Sequence, residues 1–328
     1  MSDRKSDAVK ARHPQGPLAR YLRENMGTLL GLSAMCIVLS LTTNGVFISQ
    51  RNLMNVLRQV SSNACLAFGM TFAIISGGID LSVGSILALS GTLSAGLIVH
   101  SGLSPMQAVA LAVLIGTLLG LFNGVVIAKT GIPPFIVTLA TMQIARGAAY
   151  IYSNGQPIRA MIPEYNVIGA GWLGPVPLPV VYMTAFLIIS VILLSRTRFG
   201  RHVYAVGGNA KAAEFSGVDV ARTKMQVYAF SGLLSAFTGV VLCARMSSGQ
   251  PTAGTGFEMD AIAATVLGGA SMSGGVGKIG STMIGVLIIG VLNNGLNLLG
   301  LNSFWQQIAK GIVILLAVYV DMWKKRRK

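Results

Sequence analysis

Residues 64–99 read ACLAFGMTFAIISGGIDLSVGSILALSGTLSAGLIV, two apolar runs separated by a glycine-rich interruption that contains Asp80. A helix needs about 20 apolar residues to cross the hydrocarbon core of a bilayer, and each run supplies most of that length. Backbone groups at a break within a membrane need internal hydrogen-bonding partners, and a carboxylate can accept from several of them. The stretch therefore predicts an α-helical membrane protein with interrupted helices.

The composition of the whole chain indicates the same class. Hydrophobic residues make up 53% and charged residues 11% of the 328 residues, and the mean hydropathy is +0.68. Soluble domains carry about 25% charged residues, so this chain has too few for a water-facing surface. We predict an all-α integral membrane protein of about ten helices, near residues 27–48, 61–79, 81–100, 106–128, 135–153, 180–194, 226–245, 260–270, 280–299 and 305–323.

Two parts of this prediction are irregular. RNLMNVLRQV, residues 51–60, is amphipathic, and we expect it to lie at the membrane interface ahead of the second helix. The eighth segment, 260–270, is too short to cross a core of about 30 Å, which predicts a broken or re-entrant helix. The number of spans therefore stays open between about eight and ten.

Basic residues are concentrated in a few segments. The formal net charge is +15, and the clusters lie in residues 4–23, 196–224 and 324–328. Positive loops are retained on the cytoplasmic side of membranes, so we predict that both termini and the loop at 195–225 are cytoplasmic. Nucleic-acid binding is not expected, because no basic domain is interleaved with aromatic residues. The predicted layout is a tail (1–26), a transmembrane domain (27–323) that contains the loop, and a basic tail (324–328).

Two sequence patterns resemble nucleotide-binding motifs but lack the features that such motifs require. GVGKIG, residues 275–280, fits G-x-G-x-x-G, but a dinucleotide site needs a preceding strand and an acidic residue about 20 positions further on. A P-loop would need glycine where Met272 stands and serine or threonine where Ile279 stands. The three histidines form no metal or catalytic pattern. We therefore expect neither an enzyme nor a metal site.

Some polar side chains fall inside the predicted spans. Arg146 and Lys310 have two possible interpretations. Either they are functional residues, or their side chains reach the membrane interface or pair within the bundle. An amide in hydrocarbon is costly without a hydrogen bond, so intramembrane asparagines either tie helices together or line a wet path. These asparagines are Asn123, Asn293, Asn294 and Asn297.

Two interruptions share a pattern. GGIDLSVGS (77–85) and GGASMSGGV (268–276) both read G-G-x-x-x-S-x-G, and each breaks an apolar run. Paired broken segments are typical of transporters built from repeats, although short Gly/Ser matches also arise by chance. We predict that these segments break helices or cap their ends, through Asp80 and Ser82 in the first and Ser271 and Ser273 in the second.

Several long blocks indicate a family. They are GMTFAIISGGIDLSVGSILALSG, PFIVTLATMQIARG, RTRFGRHVYAVGGNAKAAEFSGVDV and QPTAGTGFEMDAIAATVLGGASMSGG, followed by NNGLNLLG and KGIVILLAVYVD. With these blocks in order over almost the whole chain, it resembles the membrane permeases of bacterial monosaccharide ABC importers, most closely the ribose permeases. GGASMSGG and FEMDAIAAT depart mildly from the usual wording of the family.

The resemblance implies a homodimeric permease of the bacterial inner membrane that imports a monosaccharide. Ribose is the first expectation, and another sugar or a furanosyl signalling compound is the alternative. The implied partners are a periplasmic sugar-binding protein and a cytoplasmic ABC ATPase with two nucleotide sites, which uses the ATP and Mg, so this chain binds no cofactor. A stand-alone secondary transporter is disfavoured, because no pair of acids lies within one span. Gln250, Glu258 and Asp260 are expected on the binding-protein side, or else they hold their own loop together.

The resemblance also assigns the loop GRHVYAVGGNAKAAEFSGVDV to contact with the ATPase, through Asn209, Ala213, Glu214 and Gly217. The residues themselves support a rigid element there. NAKAAEFSG reads as a short helix with Asn209 as its N-cap and Gly217 as its stop. For Asp80, direct contact with the sugar and coupling to the ATPase stay open beside capping.

Overall fold

The computed structural model describes residue 21 and residues 25–326, and most of this part of the chain is helical. The helices are α1 (Met26–Thr42), α2 (Gln50–Ile75), α3 (Val83–Val99), α4 (Pro105–Thr130), α5 (Pro134–Ser153), α6 (Pro163–Ala170), α7 (Leu178–Arg196), α8 (Arg198–Gly208), α9 (Ala210–Phe215), α10 (Val220–Met246), α11 (Phe257–Leu267), α12 (Ile279–Leu298) and α13 (Ser303–Arg326).

Short strands mark one end of the molecule. β1 (Ile158–Arg159) pairs with β4 (Ser248–Gly249), and β2 (Trp172–Leu173) pairs with β3 (Val176–Pro177), both antiparallel. Because β4 follows α10 directly, we name this the strand end. α8 and α9 precede α10 and lie at its other end, the α9 end. The 27 residues of α10 separate the two ends by about 40 Å.

The helices suit a membrane. By length and composition, α4, α7, α10 and α12 are able to cross one, and α1 and α3 are shorter apolar helices. Large apolar side chains on α4 are exposed, among them Leu114, Leu118 and Phe122. A soluble protein rarely leaves such contiguous apolar surface uncovered. The chain is therefore an all-α integral membrane protein, as its sequence predicts.

α10 lies at the centre of the bundle, and α4 packs along it. The two backbones approach closely, since a Cβ added at Gly120 would lie 2.8 Å from the Cα of Gly232. Another added at Gly116 would lie 2.5 Å from the Cβ of Ala236. In lipid, helices associate through such close packing of small residues. This crossing fixes the position of α4 against α10.

Local sequence explains the ends of α4. Ser104 precedes its first turn, and the Ser104 N–H donates to Gln107 Oε1 at 3.2 Å. Pro105 is the first helical residue, where the missing N–H costs nothing because the helix could not have used it. Gly131 ends the helix with a φ of 71°, a conformation that glycine adopts without strain.

Most predicted spans match observed helices within a few residues, but one prediction is wrong. RNLMNVLRQV is not a separate interfacial segment, because α2 runs unbroken from Gln50 to Ile75. Its polar first turns are used inside the bundle, where Asn52 donates to the Phe47 carbonyl at 2.8 Å and pairs with Asn294. The predicted short eighth segment is α11, which has 11 residues.

The two glycine-rich interruptions end their helices in the same way. Gly77 follows α2 with a φ of 85°, and Gly269 follows α11 with a φ of 86°. In both cases the next residue donates its N–H to a carbonyl five residues back. Such turns satisfy the last carbonyls of a helix. The sequence pattern aligns Gly77 with Gly268, whereas the turn geometry matches Gly77 with Gly269. The structural match is therefore one residue away from the sequence match.

Candidate functional site

A cavity of about 650 Å³ whose wall includes many polar side chains lies near the strand end of the bundle. Its wall is built by α2, α10, α11, α12 and α13, together with the loop before α11. A cavity of this size can hold a small molecule. The polar wall includes Gln59, Asn63, Asp260, Asn293, Gln306, Gln307 and Lys310.

An ion pair with a buried carboxylate lies in the cavity wall. Lys310 Nζ is 2.9 Å from each carboxylate oxygen of Asp260, and the two side chains are 21% and 3% exposed, respectively. The pair joins α13 to α11, and each charge compensates the other, as buried charges in a membrane protein require. Lys310 therefore pairs within the bundle. The Asp260 carboxylate is therefore bound inside the bundle by Lys310.

The loop between β4 and α11 is held from two sides. Arg146 of α5 donates from Nη1 to the carbonyls of Pro251 and Ala253 at 2.6 and 2.7 Å. Glu258 Oε1 accepts from the backbone N–H two residues before it at 3.2 Å. Glu258 and Gln250 are half-buried. These contacts fit the interpretation that the polar residues of this segment hold their own loop together.

The three asparagines of α12 have different environments. Asn293 is buried in the cavity wall, and its Oδ1 has no hydrogen-bonding partner among the described residues. Asn294 exchanges two hydrogen bonds of 2.9 Å with Asn52 of α2. Asn297 accepts from Gln306 Nε2 at 2.6 Å. Asn293 is thus the one of the three with a buried, unpaired acceptor among the described residues, whereas the other two tie helices together.

Asp80 is the centre of a buried polar network near the α9 end. Its Oδ1 accepts from the N–H of Ser82 at 3.0 Å and from the Ser82 hydroxyl at 2.5 Å. Its Oδ2 accepts from the Ser231 hydroxyl of α10 at 2.7 Å. Asn123 of α4 donates to Ser82 Oγ at 3.0 Å and accepts from Thr141 of α5 at 2.6 Å. Asn123 therefore ties helices together in this structure and does not line the cavity.

The role of Asp80 is wider than a helix cap. It accepts the backbone N–H of Ser82 at the start of α3, but the Ser82 hydroxyl donates to Asp80 and makes no cap of its own. In the part of the chain that the structure describes, no basic side chain pairs with Asp80. The carboxylate joins the first interruption to α10 directly, and the network continues through Ser82 and Asn123 to α4 and α5. Sequence reasoning missed Ser231 and Thr141, because no local pattern distinguishes a serine or threonine that faces a buried carboxylate.

The second interruption is arranged differently. Ser271 Oγ accepts from the Ser273 N–H at 3.3 Å, and the N-cap position of α12 is occupied by Lys278. Both serines lie in the break between α11 and α12, and neither helix begins or ends at one of them.

α9 has the local structure that its sequence predicts. Asn209 Oδ1 accepts from the N–H three residues on at 3.0 Å, and Gly217 follows the helix with a φ of 82°. The predicted cap and stop are therefore confirmed. Ala213 is buried, whereas Glu214 is exposed and Phe215 is 91% exposed. A fully exposed phenylalanine beside a carboxylate on a short helix forms a surface suited to contact with another protein.

Carboxamides make up most of the uncharged polar side chains of the cavity wall. Each carboxamide offers two donors and an acceptor, which matches hydroxyl groups that donate and accept at once. Four charged side chains line the cavity, Asp260 and Glu258 with Lys310 and Arg245, so their formal charges cancel. The cavity is thus suited to a neutral solute rich in hydroxyl groups. Sequence reasoning named Asn293 but missed four further amides. Their occurrence near or within apolar helices could have indicated them as residues of a polar path. They are Gln59, Asn63, Gln306 and Gln307.

Comparison with known proteins gives consistent matches. A family model described as branched-chain amino acid transport system / permease component matches residues 52–318. The ribose import permease protein RbsC of Bacillus subtilis is 51% identical, over 92% of this chain and 94% of the relative. RbsC of Escherichia coli is 46% identical, over 93% and 95%. The xylose transport system permease protein XylH of Haemophilus influenzae is 34% identical, over 91% and 96%. No solved structure gives a significant match.

Proposed function

Because the chain belongs to the family of transport-system permease components, whose model covers residues 52–318, we propose that it carries ribose into the cytoplasm as the membrane subunit of an ABC importer. The observation that carries this proposal is the identity of 51% and 46% with two ribose import permeases, over more than nine-tenths of each chain. Xylose is the second candidate, because a xylose permease is 34% identical over a similar length.

The cavity is proposed as part of the sugar path. A monosaccharide is neutral and presents hydroxyl groups in every direction, and the amides of the wall can donate to and accept from them. Asn293 has a buried Oδ1 without a partner among the described residues, which supports its assignment to the path. A bound hydroxyl would satisfy that acceptor, which otherwise costs free energy in a buried site.

The ATPase is proposed to bind at the α9 end. The chain has no P-loop sequence of its own, so ATP hydrolysis, with its Mg, belongs to a partner. α9 has too few residues to be stable alone in water, and it is held by its cap and by the buried Ala213. Glu214 and Phe215 are left exposed for contact. We propose accordingly that the α9 end and both termini are cytoplasmic, which the positive charge of these segments supports.

The sugar-binding protein is proposed to dock at the strand end, on the periplasmic side of the inner membrane. A groove of about 510 Å³ there is lined by Arg51, Arg58 and Trp172, among others. The Arg58 guanidinium lies 4.6 Å from the centre of the Trp172 ring. Two cations and an aromatic ring favour an acidic partner surface. A second copy of the chain is proposed to complete the membrane unit beside α13, whose outer face is apolar and exposed.

Uptake into vesicles tests the proposal. The chain would be reconstituted with its ATPase and binding protein, and the entry of labelled ribose and xylose would be followed with and without ATP. We expect ribose uptake that requires ATP and the binding protein and exceeds xylose uptake. Uptake that continues without ATP would show a secondary transporter, and preference for xylose would correct the assignment of the sugar.

A further inference from the structure

The last turn of α8 lies against other parts of the backbone with no side chain between them. A Cβ added at Gly207 would overlap the carbonyl oxygen of Ile75, the last residue of α2, and would lie 2.7 Å from the backbone nitrogen of Gly275. A Cβ added at Gly274 would lie 2.5 Å from the carbonyl oxygen of Gly207. Three segments distant in sequence thus meet at Gly207: the ends of α2 and α8 and the loop before α12.

The two glycine-rich interruptions are also joined to each other at this place. The Gly275 N–H donates to the Ile75 carbonyl at 2.8 Å. Carbonyls in the last turn of a helix have no donor within the helix, so this bond satisfies one that α2 leaves open. The first interruption begins at Gly77, two residues after Ile75, and the second contains Gly275.

Further contacts attach α8 to the same two elements. The Tyr204 hydroxyl donates to the carbonyl of Gly277 at 2.7 Å. The Phe199 ring stacks on Phe72 of α2, with 5.7 Å between the ring centres and 12° between the planes. α8 is therefore held to α2 by a ring stack and to the second interruption by a hydrogen bond, with Gly207 between these contacts and α9.

Each interruption leads to a different part of the candidate site. The first carries Asp80, which binds Ser231 of α10 and, through Ser82, Asn123 of α4. The second connects α11, which bears Asp260, with α12, which bears Asn293. A movement of α8 at Gly207 would therefore displace both the polar network and the cavity wall.

We propose that Gly207 is the positioning residue through which movement of the ATPase contact reaches both interruptions at once. Backbone contact leaves no rotamer to absorb a displacement, and close-packed interiors transmit strain. Small shifts at such a junction are converted into rearrangements when the packed elements have two arrangements. This inference rests on the proposed function, because it needs an ATPase that acts on α8 and α9.

Neighbouring glycines supply a matched test. Gly207→Ala places a methyl group against the Ile75 carbonyl, whereas a Cβ at Gly208 meets nothing within 4 Å. Both variants would be purified with the ATPase and the binding protein, and sugar transported per ATP hydrolysed would be measured. We expect Gly207→Ala to lower this ratio by about tenfold while the ATPase still co-purifies and hydrolyses ATP, and Gly208→Ala to keep the parental ratio.

A second variant keeps the test decisive if Gly207→Ala does not fold. Tyr204→Phe removes one hydrogen bond and retains the ring, and we expect the ratio to fall by about threefold. A parental ratio in a folded Gly207→Ala complex overturns the inference, as does a parental ratio in Tyr204→Phe when Gly207→Ala is not obtained. If the parental complex itself shows no ATP-dependent uptake, the proposed function fails, and the inference fails with it.

Discussion

Ser231 donates its hydroxyl to Asp80 Oδ2 at 2.7 Å, although 151 residues separate the two in the sequence. Both side chains are buried. The bond connects the first glycine-rich interruption with the central helix α10, so the break between α2 and α3 is held in place by the middle of the bundle. A hydrogen bond that joins such distant segments makes the break part of the tertiary structure.

Removal of the Asp80 carboxylate is expected to destabilise the protein more than removal of one donor. Asp80→Ala leaves the Ser82 N–H and the Ser231 hydroxyl without an acceptor, and each buried unsatisfied group costs about 1–3 kcal/mol. Ser231→Ala loses one bond. Thermal unfolding in detergent should therefore give midpoints in the order parent, Ser231→Ala, Asp80→Ala. Ser195→Ala, at an exposed serine, is the control, and an Asp80→Ala midpoint equal to it would contradict the network.

A single methyl group added at the crossing of α4 and α10 is expected to destabilise the protein. Gly120→Ala would place its Cβ 2.8 Å from the Cα of Gly232, and overpacking of this kind costs about 1–3 kcal/mol. Gly147→Ala on α5 meets nothing within 4 Å and should be neutral or slightly stabilising, because alanine is the better helix former. The comparison is made by thermal unfolding of both variants. Equal unfolding midpoints for Gly120→Ala and Gly147→Ala would show that α4 and α10 are not in close contact at Gly120.

The Asp260–Lys310 pair is expected to respond asymmetrically to substitution. Lys310→Met leaves a carboxylate that is 3% exposed without its cation, which costs about 3–5 kcal/mol. Asp260→Asn should cost less, because the Lys310 side chain is 21% exposed and its ammonium can turn toward water. The double variant should recover most of the loss, which a double-mutant cycle of unfolding free energies measures. Strict additivity of the two single losses would refute the pairing.

The exposed face of α9 is expected to carry the contact with the ATPase. Glu214→Lys reverses a charge there, Phe215→Ala removes the exposed ring, and Gly217→Pro blocks the turn that follows the helix. Each variant should insert into the membrane normally, lose co-purification of the ATPase and abolish sugar uptake. Lys129→Ala, an exposed residue at the same end, should behave as the parent. If the α9 variants still co-purify with the ATPase and take up sugar at the parental rate, this surface is not the contact.

The orientation in the membrane is expected to place the α9 end inside the cell. In a background that carries Cys36→Ser, a cysteine introduced at Lys211 should resist an impermeant maleimide added to intact cells and react after permeabilisation. A cysteine at Leu173 in the strand end should react in intact cells, because Leu173 is 62% exposed. Labelling of the Lys211 position without permeabilisation would invert the proposed topology.

The sequence by itself determined the class of the protein, most helix boundaries and the conformation of α9. Runs of apolar residues are sufficient to identify membrane helices, because a segment in lipid must satisfy its own backbone. Asn209 and Gly217 identify the ends of α9 because their preferences act within a single turn. The amphipathic pattern at residues 51–60 was misread for the same reason, since local polarity does not show whether a neighbouring helix covers it.

Only the tertiary structure decided which polar residues meet. The ion pair joins Asp260 to Lys310, and a hydrogen bond joins Asp80 to Ser231, although each pair is far apart in the chain. Asn123 and Asn293 look alike in the sequence but lie in different environments. α4 and α10 are apolar around most of their circumference, so no periodic pattern marks the face that is turned inward. The position of each side chain then depends on helix crossings such as that of Gly120 and Gly232. Those crossings are set by the packing of the whole bundle, because in lipid the fit between helix surfaces decides which ones come together.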